Sequence, residues 1–143
     1  MNRTDTFTAE EWHTLLFAPL WAFAALAGRY RAFDPLDLEA FTQSVEQAAA
    51  AERGRLGGHL LGRVALDLDR LIRRFSSDDR SVASGLWQVS SLLTRLPTDE
   101  ADAFRDALVS GVCEGVARAR GRYGRIISEE DAKIVELVAQ LLV

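Results

Sequence analysis

Residues 15–27 read LLFAPLWAFAALA, an apolar run without one charged side chain. In front of it, the residues 8–11 (TAEE) form a capping box, in which the Thr8 hydroxyl and the Glu11 carboxylate each accept a free backbone N–H at a helix start. The pattern predicts one helix over residues 9–27. Because that helix is apolar on nearly every side, we expect the other helices to enclose it.

The apolar run does not have the flanks of an export signal or the length of a membrane span. Asp5, Glu10 and Glu11 outweigh Arg3, whereas a secretory leader needs a positive start. Thirteen helical residues cover about 20 Å of a hydrocarbon core that is roughly 30 Å thick. We therefore predict a core helix of a cytoplasmic protein. The single Cys113 fits a reducing compartment, since it cannot form an internal disulfide.

Five further helices are predicted from capping residues and from apolar residues at three- and four-residue steps. No stretch alternates with period two, so no sheet is expected. With 143 residues and 48% apolar content, the chain is predicted to be an all-α, single-domain helical bundle of six to seven helices. Its predicted parts are a flexible N-terminus (1–7), a helical domain (8–143), helices over 35–51, 60–75, 82–96, 99–120 and 129–141, and a turn over 53–58.

The beginning and the end of the chain contain a weak internal repeat. The residues 28–30 (GRY) and 33–37 (FDPLD) are echoed by 121–123 (GRY) and 127–131 (ISEED). Each copy joins an apolar helix to a helix that starts with acidic residues. This pattern predicts two pseudo-repeated helix-loop-helix units that bury their apolar faces together.

Several short motifs follow one another over nearly the whole chain: 12–16 (WHTLL), 18–20 (APL), 33–35 (FDP), 96–101 (LPTDEA), and 121–124 (GRYG) leading into 127–130 (ISEE). In this order they resemble the TerB-like family of tellurite-resistance proteins. The resemblance implies an all-α bundle of roughly seven helices and a cytoplasmic protein tied to tellurite or other chemical stress. It also implies, in some members, metal binding at acidic loops between helices.

This chain departs from the TerB-like pattern at those loops, because arginine stands where the family has aspartate. We therefore carry over no metal ligand and expect no cofactor. Arginines before a helix N-terminus favour an anion, so the loops are a candidate anion or partner-binding site. The alternative is that they cap helix carbonyls and stay solvated. The candidate residues are Arg29, Arg31, Arg118, Arg120, Arg122 and Arg125.

The other residues that could carry chemistry are interpreted as structural. None has a partner at the spacing of a metal site or of a nucleophile and its base, and no catalytic residue is predicted. Trp12, near the start of the first helix, is either a core residue or an exposed anchor for a partner. The residues interpreted as structural are His13, His59, Cys113, the pair Asp67 and Asp69, and the acidic run 129–131.

These observations favour a non-enzymatic interaction or accessory module in a stress-response or membrane-associated system. The predicted partner is a protein, and both a peripheral membrane complex and a homodimer stay open. Nucleic acid is not expected, since the net charge is −4 and only residues 53–80 are net basic. The alternative function is a small-ligand or anion sensor that uses the arginine-bearing loops.

Overall fold

The computed structural model of the chain describes residues 7–27, 35–120 and 127–142. These residues contain no strand, which confirms the all-α bundle. They form seven helical rods, because three successive helical elements between Thr98 and Arg120 are continuous. Residues 1–6 of the predicted flexible segment and both loops of the predicted repeat lie outside the described residues. The elements are α1 (Ala9–Ala27), α2 (Pro35–Ala51), α3 (Leu56–Leu66), α4 (Leu68–Ser76), α5 (Val82–Leu93), α6 (Thr98–Asp106), a π-helix (Ala107–Cys113), α7 (Glu114–Arg120) and α8 (Glu129–Leu141).

Helix α1 lies in the core, as its apolar sequence predicts. Thr8 and Glu11 form the capping box: the Thr8 N–H donates to Glu11 Oε1 at 2.9 Å, and the Glu11 N–H donates to Thr8 Oγ1 at 3.1 Å. Eleven of its nineteen residues are buried, and α2, α3, α4, α5, α8 and the π-helix all contact it. No described helix combines the length and the apolarity needed to cross a bilayer.

Aromatic rings hold the neighbouring helices against α1. Trp21 is fully buried and meets Phe75 of α4 edge to face, with ring centroids 5.9 Å apart. On α5, a Cβ at Gly85 would lie 2.2 Å from the Trp21 ring, so only glycine lets the α5 backbone approach this closely. Phe23 stacks on Phe41 of α2 at 4.6 Å. The core is therefore a shell of helices around one central rod.

A half-buried arginine ties α1 to α5. Arg80 Nη1 donates to Thr14 Oγ1 at 3.1 Å and to Gln88 Oε1 at 2.6 Å, and Arg80 Nη2 pairs with Asp78 Oδ2 at 2.7 Å. Its guanidinium also lies 4.8 Å from the centre of the Trp21 ring, at cation–π distance. This network satisfies the polar groups that border the apolar core.

The predicted helix over 60–75 is wrong in one respect, because it is divided into α3 and α4. Asp67 leaves the helical conformation, with φ −110° and ψ 24°. Its N–H still bonds to Arg63 O at 3.0 Å, and its carbonyl accepts from Leu71 N–H at 2.9 Å. The apolar spacing continues across this break, which is why the sequence pattern does not reveal it.

The predicted turn over 53–58 ends earlier than expected, since α3 begins at Leu56. Gly54 has φ 88° and makes the turn, whereas Gly58 is helical. The start of α3 is capped from elsewhere in the fold: the Leu56 N–H donates to Glu100 Oε2 of α6 at 2.9 Å. A cap 44 positions away along the chain has no signature in the local sequence.

The predicted helix over 99–120 is present, but its middle is a π-helix. Its buried residues Phe104, Leu108, Val112 and Val116 recur at every fourth position. In an α-helix such a series drifts by about 40° at each step, because a turn takes 3.6 residues. A π-helix holds more residues in each turn and so keeps the series facing the core.

The π-helix and α7 pack closely on α2 through two glycines. A Cβ at Gly111 would lie 3.0 Å from Ala48 Cβ, and one at Gly115 would lie 2.5 Å from Ser44 Oγ. At the other end of the domain, Ser128 caps α8 by accepting from the Asp131 N–H at 3.1 Å.

Two glycine substitutions should affect stability in opposite directions. Gly85→Ala places a methyl group against Trp21, so we expect the free energy of unfolding to fall by about 1–3 kcal/mol. Gly62→Ala in α3 meets no atom within 4 Å, so we expect a rise of about 0.5–1 kcal/mol. Urea denaturation measures both. A Gly85→Ala variant as stable as the parent would contradict the described packing of α5 on Trp21.

The capping box makes stability depend on pH through Glu11. A side-chain hydrogen bond from Arg95, 2.9 Å away, and the Thr8 N–H lower the pKa of Glu11. Because the folded-state pKa is below the unfolded one, this stabilisation is present at neutral pH and is lost as pH falls through the folded-state value. We expect Glu11→Gln to destabilise the chain more at pH 7 than at about pH 3, as measured by urea titrations.

Glu39→Gln, an exposed position on α2, is the control for that measurement. A Glu11→Gln effect of equal size at both pH values would mean that the carboxylate charge does not contribute.

Candidate functional site

The described residues include only two of the six predicted arginines. Arg118 is exposed on α7, with Nη2 4.0 Å from Glu114 Oε2. Arg120 ends α7, but its side chain lies outside the described residues. The four others, Arg29, Arg31, Arg122 and Arg125, also lie outside the described residues. Of the predicted set, Arg118 is therefore the residue whose surroundings can be described.

The two histidines and the cysteine differ in their exposure and in their contacts. His13 is half-buried: its Nδ1 lies 2.9 Å from Ala9 O and its Nε2 is hydrogen-bonded to Arg74. His59 is exposed on α3. Cys113 is buried, and this burial, followed by the charges of nearby acidic residues, raises the pKa of its thiol to about 12. A neutral buried thiol is a core residue rather than a nucleophile.

The acidic candidates are spread over the surface and the helix starts. Asp67 lies at the break between α3 and α4 and pairs with Arg63 at 3.5 Å, while Asp69 is exposed. Glu129 and Glu130 are exposed in the first turn of α8. Within residues 7–27, 35–120 and 127–142, no three His, Cys, Asp or Glu residues come together as metal ligands.

A groove of about 1030 Å³ lies between the start of α1, the end of α2 and α3. We call it the docking groove. Most of its lining side chains are small or apolar, and its charged ones lie near the turn that joins α2 to α3. The lining residues are Trp12, Glu46, Ala49, Ala50, Arg53, Gly54, Arg55, Leu56, Gly58, His59, Gly62, Ala65 and Leu66.

The α3 side of the groove is lined by small residues on one helix face. Gly58, Gly62 and Ala65 follow at steps of four and three positions, so they lie one above the other. Gly58 also allows the end of α2 to approach, since a Cβ there would lie 2.1 Å from Glu52 O. Gly62 has no atom within 4 Å of a Cβ position and opens directly into the groove.

Two large apolar side chains border this floor. Leu66, the last residue of α3, is 79% exposed. Trp12 is half-buried and meets Phe7 edge to face at 5.4 Å, so its position is fixed from outside the groove. Phe7 itself is buried, although the sequence places it in the flexible N-terminal segment. A fixed indole beside an exposed leucine is typical of surfaces that contact another protein.

The electrostatic character of the groove is basic at the turn end. Arg53 and Arg55 line it there with His59, and Glu46 is the one acidic residue among the described residues that line it. Arg55 Nε lies 3.6 Å from Glu52 Oε2, so part of its charge is matched within the chain. Arg53 has no ion pair among the described residues. The groove thus belongs to the net basic segment 53–80.

A second, smaller pocket of about 390 Å³ lies between α2 and α7. We call it the polar pocket. It contains a guanidinium, two carboxamides and a hydroxyl together with small residues. Its lining residues are Ala40, Gln43, Ser44, Gln47, Gly115, Arg118 and Ala119.

No protein-family model, curated protein or solved structure matches this chain. The TerB-like resemblance therefore stays a prediction that rests on the residues alone.

The sequence analysis did not identify the docking groove, and only Trp12 was proposed there as a binding residue. Two signals were present. One was the net basic charge of residues 53–80, and the other was the spacing of Gly58 and Gly62, whose first member was assigned to a turn. The polar pocket was missed apart from Arg118, because Gln43 and Gln47 are unremarkable residues on the outside of a helix.

The buried thiol gives a direct test of the core. We expect Cys113 in the native chain to react with a thiol reagent at neutral pH at least about 1000-fold more slowly than in denaturant, since the thiol is accessible only in unfolded molecules. The release of thionitrobenzoate from Ellman's reagent measures the rate. Fast modification of native protein would place Cys113 at the surface and would overturn its assignment as a core residue.

Proposed function

We propose that this chain is a non-enzymatic interaction module whose docking groove binds one amphipathic helix of a partner protein. The observation that carries the proposal is the groove of about 1030 Å³, with a floor of small residues and Leu66 exposed at its border. A large exposed apolar side chain beside a concave apolar surface is typical of a protein-binding site.

A helix suits the shape of the groove better than a strand does. The eleven residues of α3 extend about 16 Å, which matches roughly three turns of a second helix. Gly58, Gly62 and Ala65 let the backbone of that helix approach closely, while Trp12 and Leu66 contact its apolar side chains. A bound strand would need unpaired backbone groups to pair with, and the helices of the groove offer none.

The charge of the groove favours an acidic partner helix. Arg53, Arg55 and His59 lie at the end of the groove where α2 turns into α3, against the single Glu46. A helix whose apolar face is bordered by Asp or Glu would place opposite charges next to Arg53 and Arg55. This matching would mainly fix the orientation of the helix and speed its association.

The cellular setting of the module is also part of the proposal. The resemblance to TerB-like proteins supports a role in the response to tellurite or to other chemical stress, in the cytoplasm. The non-enzymatic character is supported by the sequence, in which no nucleophile–base pair or phosphate-binding loop was found.

A charge pair at one position tests the groove. We expect Gly62→Glu to bind an acidic amphipathic peptide at least about tenfold more weakly than Gly62→Lys does, a difference of about 1.4 kcal/mol. Both variants should fold, because no atom lies within 4 Å of a Cβ there. The probe is a three-turn peptide with leucines on one face and glutamates beside it, and isothermal titration calorimetry measures its dissociation constant.

Two exposed leucines provide the matched control for the apolar contact. Leu66→Ala should weaken peptide binding, whereas Leu137→Ala on α8, 53% exposed and not part of the groove, should leave it unchanged. Equal affinities of the Glu and Lys variants, or an equal loss from both leucine variants, would contradict the groove. If the chain self-associates and Gly62→Glu abolishes this self-association, the occupant of the docking groove is a second copy of the chain and not a partner helix.

A further inference from the structure

We infer that the polar pocket between α2 and α7 binds a small molecule through an oxyanion, either a carboxylate or a phosphate group. The pocket uses a different face of α2 from the docking groove: Gln43, Ser44 and Gln47 line the pocket, while Glu46 and Ala49 line the groove. The inference therefore does not depend on the proposed function.

A serine hydroxyl without a hydrogen-bond partner among the described residues lines this pocket. The Ser44 side chain is only 7% exposed, and none of the described residues forms a hydrogen bond with it. In the same helix, Thr42 Oγ1 donates to Leu38 O at 2.8 Å, which is the usual way for a helical hydroxyl to be satisfied. The Ser44 hydroxyl makes no such bond within its helix, so its O–H is free to donate to a ligand in the pocket.

Among the described residues that line the pocket, one is a cation whose N–H groups can still donate hydrogen bonds. Arg118 lines it from α7, and the ion pair described for it, with Glu114, has Nη2 and Oε2 4.0 Å apart. That distance is too long for a hydrogen bond, so the N–H groups of the guanidinium stay available. A guanidinium can bind a carboxylate or a phosphate through two parallel hydrogen bonds.

The other lining residues complete a set of neutral donors and keep the space open. Gln43 and Gln47 are one turn apart on α2, and each carboxamide can donate two hydrogen bonds. Gly115 faces Ser44 from the other helix, where a Cβ would lie 2.5 Å from Ser44 Oγ. A larger residue there would displace the hydroxyl from the pocket.

The volume of the pocket indicates the size of the ligand. About 390 Å³ exceeds the needs of a bare oxyanion and suits a small organic acid or a phosphate monoester. Both ligands present negatively charged oxygen atoms to Arg118 and Ser44, in a planar carboxylate or in a tetrahedral phosphate group.

Solution NMR of the ¹⁵N-labelled chain tests the site, with inorganic phosphate, O-phosphoserine, acetate and succinate as probes at constant ionic strength. We expect at least one probe to shift the amide signals around residues 44 and 115–118 saturably, with a Kd between about 0.1 and 10 mM. The phosphate and carboxylate pairs identify which oxyanion is preferred. Chloride titrated in the same way serves as the reference for unspecific ionic effects.

Variants separate binding from folding. Arg118→Gln should weaken binding at least about tenfold, and Arg118→Lys should weaken it less, because lysine keeps the charge but not the paired donors. Arg63→Gln is the matched control, since Arg63 is also exposed on a helix and paired with an acid one turn away, 3.5 Å from Asp67. Ser44→Ala should weaken binding without lowering the Tm, whereas a merely structural hydroxyl would lower the Tm and leave binding unchanged.

The inference fails if no probe gives saturable shifts up to about 50 mM or if chloride reproduces them. It also fails if Arg63→Gln weakens binding as much as Arg118→Gln does.

Discussion

The apolar surface of α1 cannot face water on any side, and the positions of the other helices follow from that constraint. Trp21 and Phe23 point to different neighbours, and both are fully buried. Burying one such side chain contributes about 1.5–3 kcal/mol, so each helix that covers part of α1 adds a substantial share of the stability. Packing takes precedence over hydrogen bonding here: Trp21 Nε1 is buried without a partner among the described residues.

The enclosure of α1 also decides which surfaces stay free. Helix α2 packs on α1 through Phe41 and on the π-helix through Ala48. Its remaining faces border the docking groove on one flank and the polar pocket on another. Glycines form part of both sites: Gly58 and Gly62 leave room in the groove, and Gly115 leaves room beside Ser44. Glycine therefore has two effects in this fold. It permits close helix packing, and it leaves a concave surface where no side chain of a neighbouring helix fills the space.

Local signals in the sequence predicted the helices well and the sites poorly. The capping boxes and caps at Thr8 and Ser128 involve residues three positions apart, so they can be identified without knowing the fold. By contrast, Glu100 caps α3 from a distant part of the chain, and Ser44 and Arg118, which line the same pocket, are also far apart in the sequence. The break at Asp67 was missed for a related reason, because apolar spacing reports which residues are buried and not whether the backbone bends between them.

The amino-acid sequence by itself determined the all-α class, the central position of α1 and the start of most helices, since apolar periodicity and capping act over a few residues. Only the tertiary structure decided where the chain is concave. The groove requires Trp12, the end of α2 and the small face of α3 to meet, and the polar pocket requires α2 to lie against α7. These contacts between helices depend on how the helices pack around α1, and the packing geometry is set by the whole core rather than by any one segment.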